Sequence, residues 1–190
     1  MTKYSGTESF SSLPLKKGEH AVKESILNGK KVLAVDDEPD VLMVLEEEIL
    51  EAAPNCKYEK ATTYEVAADK LKSQTYDVVI LDIMGVRGFD LLELAVSRNL
   101  KVAMLTAHAL TPEALKRSFE MKARAYLPKE KIGEIVSFLE DVLTYEYLPG
   151  WKRLIMNLDG FFTEKFKDMK EKSGFNFWVE MRDKIKQMDY

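Results

Sequence analysis

Short unbroken apolar runs alternate along the chain with longer stretches in which apolar residues recur every three or four positions. Val32–Val35 and Val78–Leu81 are runs of four, rich in β-branched residues, and Val102–Leu105 is a third run of that length. Such runs predict strands buried on both faces of a parallel sheet. Lys57–Ala61 and Ala123–Leu127 are weaker strands, the former fit for an edge. Between them lie helical patterns. Val41, Leu42, Val44, Leu45, Ile49 and Leu50 form one, with Glu46–Glu48 outward, and Val66, Ala67 and Leu71 a second. Phe89–Ala95, Thr111–Met121 and Ile132–Leu143 supply three more. Pro39 and Pro112 suit first helical positions, with Asp37 or Glu38, Thr62 or Thr63, and Thr111 as caps. Five strands alternating with five helices predict an α/β fold: a doubly wound, five-stranded parallel sheet with right-handed crossovers.

The two ends of the chain read differently. Residues 1–29 are rich in Ser, Gly, Lys and Glu and are expected to be a flexible arm before an α/β domain over 30–147. Pro149-Gly150 is expected to break the chain ahead of a helical extension, residues 148–190. There Trp151, Leu154, Ile155, Leu158, Phe161, Phe162 and Phe166 fall on one wide stripe, followed by Phe175, Trp178, Met181 and Ile185. A stripe this aromatic must be covered. A homodimer through residues 151–190 is the expectation, with packing back onto the upstream domain as the alternative.

Composition narrows the function classes. The net charge of −4 does not suggest a nucleic-acid binder. Residues 151–190 hold nine basic and seven acidic side chains, so the acidic excess lies upstream and no basic DNA-binding face is evident. The single cysteine, Cys56, reads as a buried or incidental thiol. No stretch approaches a membrane span and no secretory signal is visible, so a cytoplasmic protein without membrane contact is expected.

The candidate chemistry sits where the strands end. The first strand runs into Asp36-Asp37, the third into Asp82, the fourth into Thr106, and the fifth ends shortly before Lys129. In a parallel sheet these ends share one rim, where open α/β sheets place their ligands. Three carboxylates there repel one another unless a cation neutralises them, and an all-oxygen set suits Mg²⁺ or Mn²⁺. Helix capping explains one acidic residue before Pro39 but not two. Thr106 can donate to a phosphoryl oxygen and Lys129 can neutralise its charge, making Asp82 the nucleophile of an acyl-phosphate reaction. His108 follows Thr106 closely but reads as a surface loop residue.

Together these residues resemble the response-regulator receiver domain of two-component signalling, the chemotaxis-regulator (CheY-like) type, over roughly Lys31 to Thr144. Asp36-Asp37 matches the family's metal-site pair, Asp82 its phosphoacceptor, Thr106 with small Ala107 its switch hydroxyl, Tyr126 its switch aromatic and Lys129 its lysine. The resemblance implies a flavodoxin-like sheet of order 2-1-3-4-5. It also implies Mg²⁺ held by Asp37, Asp82 and the backbone carbonyl of Met84, with Asp36 acting through water. A histidine kinase or phosphotransfer protein is the implied partner. The implied activity is phosphotransfer and autodephosphorylation at Asp82 rather than enzymatic turnover, with Tyr126 repacking to change the face of the fourth helix, fifth strand and fifth helix. The chain departs from the pattern in four places. Glu130 rather than proline follows Lys129, and Gly85-Val86-Arg87-Gly88 replaces the usual Met-Pro turn. The span from Asp82 to Thr106 is short, and Lys122 stands where glycine usually precedes the fifth strand. Two other classes fit less of this: a pseudo-receiver that only binds partners, and an aspartyl phosphatase, whose Asp-x-Asp pattern Asp36-Asp37-Glu38 lacks.

Overall fold

The three apolar runs lie side by side in the middle of one sheet. In the computed structural model, which describes residues 24–107, 110–167 and 172–187, five strands run parallel. They are β1 (Lys31–Val35), β2 (Lys57–Ala61), β3 (Val78–Asp82), β4 (Val102–Thr106) and β5 (Ala125–Pro128), in the order β2-β1-β3-β4-β5. Every residue of β3 and β4 is buried, as runs without polar alternation require. β2 is an edge strand with Lys57 and Lys60 exposed, charges that discourage pairing with another chain. Val35 pairs with Leu81 and Asp82 with Leu105, so Asp36, Asp82 and Thr106 emerge at neighbouring strand ends.

Helices α1 (Pro39–Ala52), α2 (Tyr64–Ser73), α3 (Gly88–Ser97), α4 (Pro112–Glu120) and α5 (Ile135–Thr144) connect and follow the strands. α1 packs with α5 and α2 with α3, the pairing that right-handed crossovers produce on opposite faces. Thr63 Oγ1 accepts from the Val66 N–H at 3.4 Å, and Thr111 Oγ1 from the Ala114 N–H at 3.1 Å, so both threonine caps form. Glu38 is the N-cap residue of α1 but makes no side-chain cap bond. Val66, expected on the buried face of α2, is 47% exposed; Ala67, Ala68 and Leu71 form that face. Ile132 belongs to a 3₁₀ segment, Lys129–Glu134, that precedes α5. Lys122 takes the left-handed conformation, φ 69°, that its place in the family pattern implies.

Two expected boundaries move. Residues 24–29 are docked: Leu27 is fully buried, Ser25 Oγ donates to Glu140 Oε1 at 2.7 Å, and Asn28 Oδ1 accepts from the Asn55 N–H at 3.0 Å. The expected arm over 1–23 lies outside the described residues. Pro149-Gly150 does not break the chain, because both residues lie in the first turn of α6 (Tyr147–Lys167). Proline is tolerated there since first-turn N–H groups have no intrahelical partner to lose. Ser173-Gly174 likewise opens α7 (Lys172–Gln187).

The stripe of α6 packs back onto the same chain. Trp151 Nε1 donates to the Ala123 carbonyl at 2.8 Å, and its ring meets Phe119 of α4 edge-on at 5.2 Å. Phe162 lies 6.1 Å from the Tyr126 ring and stacks on Phe166 at 5.5 Å, while Trp178 of α7 packs against both. β5 is the other edge of the sheet yet is buried along its length, because α6 lies over it. The expected homodimer through residues 151–190 therefore lacks the exposed stripe that motivated it; the intramolecular alternative is what forms. Among the described residues no helix is long and apolar enough to cross a membrane.

Candidate phosphoacceptor site

β1 and β3 deliver two carboxylates almost out of reach of solvent, Asp36 at 1% and Asp82 at 4% exposure. Each is partly satisfied by backbone turning away from its own strand. Asp36 Oδ1 accepts from the Glu38 N–H at 3.0 Å. Asp82 Oδ2 accepts from the N–H groups of Met84 and Gly85, at 2.8 and 3.1 Å. Asp37 stands exposed at the rim, and one oxygen from each of Asp36, Asp37 and Asp82 lies within 4.8 Å of the others.

Lys129, just past the end of β5, reaches into this group. Its Nζ lies 2.8 Å from Asp36 Oδ2, 2.8 Å from Glu38 Oε1 and 3.2 Å from Asp82 Oδ1. Burial works against the ammonium's charge, but the carboxylates around it prevail and hold its pKa above the ordinary lysine value. Burial pushes the Asp36 carboxyl upward, and the neighbouring Asp82 charge adds to that, while Lys129 and the Glu38 N–H pull the other way. Asp36 Oδ2 is close to Nζ but not in hydrogen-bond geometry. It is the one buried side-chain oxygen without a hydrogen bond among the described residues.

The loop after β3 is built to this site. Gly85 has no Cβ because one would overlap the Asp37 carboxylate, and a Cβ on Gly88 would overlap the backbone oxygen of Asp82. Val86 is buried between them. Arg87 adopts a left-handed φ of 54°, with its guanidinium 4.3 Å over the Tyr64 ring and paired to Asp90. The unusual Gly-Val-Arg-Gly sequence thus makes an ordered turn that brings both Asp37 and Asp82 close.

Thr106 ends β4 fully buried, beside Pro128 in register. Tyr126 is fully buried, its hydroxyl accepting from the Thr111 N–H at 3.3 Å. The Met84 side chain is 62% exposed and its amide belongs to the turn around Asp82. His108 lies outside the described residues. No cis peptide occurs at the 128–130 junction. Sequence reasoning missed Glu38 as a partner of Lys129, having assigned it only a capping role; its place beside the acidic pair was the available signal. It also missed Glu130, whose Oε1 pairs with Lys165 Nζ of α6 at 2.9 Å.

The donors suit a divalent cation. Several carboxylates face one ammonium, all donors are oxygen, and a buried oxygen of Asp36 is left without a hydrogen bond.

A parallel sheet of this order, with two aspartates, a third at the rim and a lysine at its carboxyl edge, defines a receiver-type signalling domain. The family model of the response regulator receiver domain matches residues 32–140, and the chain belongs to that family. It is 41% identical over 87 residues to the two-component response regulator ARR18 of Arabidopsis thaliana, across 43% of this chain and 13% of that protein's length. Among solved structures it is similar to the chemotaxis protein CheY4 of Vibrio cholerae, at 25% identity and a TM-score of 0.54, covering 60% of this chain and 98% of that one. A response regulator from Thermotoga maritima shares the fold, at 17% identity and a TM-score of 0.54, covering 61% of this chain and 98% of that one. The chain is thus a receiver domain of two-component signalling, with α6 and α7 added to it.

Proposed function

We propose that Asp82 accepts a phosphoryl group from a histidine kinase or phosphotransfer protein, and that its modification switches an interaction surface of the receiver. One observation carries the reading. Asp82 Oδ2 is held by two backbone N–H groups, while Oδ1 faces the Lys129 ammonium at 3.2 Å. One oxygen orients the carboxylate, and the other is the nucleophile, with a cation beside it to meet incoming negative charge. As the bond from Oδ1 to phosphorus forms, the donor's phosphorus–nitrogen bond breaks and the imidazole leaves. Lys129 exchanges the exposed Glu38 carboxylate for a phosphoryl oxygen, and the Thr106 hydroxyl donates to another.

Asp36, Asp37 and Asp82 would hold Mg²⁺ or Mn²⁺, joined by the Met84 carbonyl as the resemblance to the family implies. A divalent cation bound there offsets the charge that builds on the phosphoryl oxygens. The chemistry is self-modification followed by dephosphorylation, not turnover of a separate substrate.

Incubation with a small phosphodonor and Mg²⁺, read by intact mass, tests the reading. The expected result is a gain of one phosphoryl group on the wild type and none on Asp82→Asn. No gain on the wild type, as a pseudo-receiver would give, or an equal gain on Asp82→Asn, refutes it.

A further inference from the structure

We propose that the α6–α7 hairpin is a built-in cover of β5 that the state of Asp82 attaches and releases. This rests on the phosphoacceptor reading above and goes beyond it, because it names what the switch moves. The segment from Tyr126 to Glu130 carries Lys129, and α6 holds it on both sides of that lysine. On one side the buried Tyr126 ring is covered by Phe162 at 6.1 Å, while its hydroxyl is fixed by the Thr111 N–H. On the other, Glu130 pairs with Lys165 at 2.9 Å. Phe162 and Lys165 are three residues apart on α6 and so share one face.

The site lysine lies in the chain between these two contacts. Lys129 is shared among Asp36, Glu38 and Asp82. A phosphoryl group on Oδ1 adds negative oxygens at the position Nζ now contacts, and Nζ must be redistributed among them. In this proposal the shift of Lys129 is passed to its backbone, so that Glu130, the next residue in the chain, loads its pair with Lys165.

The hairpin is also suited to leave as a unit. Asp159 of α6 draws both Arg182 and Lys186 of α7, at 3.5 and 2.5 Å, and Trp178 locks onto Phe162 and Phe166. By contrast, α7 meets α4 across a cleft of about 310 Å³ lined by Lys116, Phe119, Met181 and Ile185, so their packing is incomplete. The helices hold each other more fully than α7 holds the receiver.

Amide hydrogen exchange on the full chain tests this, with and without phosphodonor and Mg²⁺, while the intact mass of the same sample reports the phosphoryl group. Amides of Leu154–Phe166 are expected to exchange about tenfold faster or more on modification, within the usual range of allosteric coupling. Amides of β1 and β3 stay protected, and Asp82→Asn shows no change. A phosphoryl gain without faster exchange in α6 overturns the inference and leaves the phosphoacceptor reading intact. Acceleration shared by β1 and β3 is general loosening and also overturns it. No phosphoryl gain overturns both.

Discussion

Replacing Lys129 with methionine removes the ammonium and keeps much of the apolar stem. Two nearly buried carboxylates, Asp36 and Asp82, then face each other without the cation that now lies 2.8 and 3.2 Å from them. Deleting one partner of a buried ion pair costs about 3–5 kcal/mol. The Glu38 contact adds little, since that side chain is 56% exposed. The loss is also capped, because a carboxyl can take up a proton instead. Protonating one of ordinary pKa at neutral pH costs about 4 kcal/mol, and less for one already raised. Asp36 is that group: burial raises it, and it lacks the second backbone N–H that Asp82 has. A loss of about 3 kcal/mol at pH 7 follows. A carboxyl whose folded pKa lies above its unfolded value destabilises the fold as pH rises from the unfolded value through the folded one. The difference between variant and wild type therefore shrinks on acidification toward the ordinary carboxylate range. On the alkaline side Lys129, raised in the fold, contributes fully below the ordinary lysine pKa and loses that contribution as pH climbs through its folded value. Urea unfolding of both proteins at neutral and mildly acidic pH, without metal, reads this directly. A loss under about 1 kcal/mol at pH 7, or one that stays constant on acidification, refutes the proposed coupling of Lys129 to Asp36.

The glycine turn and the hairpin give two further predictions. In Gly85→Ala the new methyl meets only the end of the Asp37 side chain, which can swing aside. Stability should change by less than about 1 kcal/mol while Mg²⁺ affinity, measured calorimetrically, falls about tenfold; unchanged affinity refutes the role of Asp37 in the metal site. In Phe162→Ala a fully buried ring that touches Tyr126, Phe166 and Trp178 is lost. Unfolding followed by Trp151 and Trp178 fluorescence should show a loss of about 3–5 kcal/mol, and a loss below about 1 kcal/mol would mean that the hairpin does not rest on β5.

The sheet and the aspartate site were legible because the three central strands are unbroken apolar runs that lead into Asp36, Asp82 and Thr106, a pattern independent of distant contacts. Asp36, Asp82 and Lys129 meet because strand order and register bring their ends together; alternation alone predicts the parallel sheet, and its order is what the resemblance to the family implies. Three features were not legible, each for a physical reason. Pro149-Gly150 carries the same residues as a chain break, but position within a helix decides their effect, and the first turn tolerates both. Val66 matched the helical period, yet the orientation of α2 exposes it and buries Ala68 instead. The α6 stripe announced that it needed a partner; its periodicity held no information on whether that partner was another copy or β5.

One departure of this chain from the receiver pattern, Glu130 after the lysine, has a partner in the hairpin. A sheet ending in β5 has an open edge, and an extension that covers it must be held near the site end of that strand. Glu130, standing where the family has proline, supplies a charged group there, and Lys165 meets it across the interface. The pair is half-exposed and contributes little to stability by itself. Its significance is positional, because it joins α6 to the residue beside Lys129. The ring of Phe162 on Tyr126 contributes the larger apolar burial but meets a residue three positions before Lys129 rather than the one beside it. Separating the strong contact from the responsive one lets a change confined to the rim alter the hold on α6 without dismantling the core beneath it.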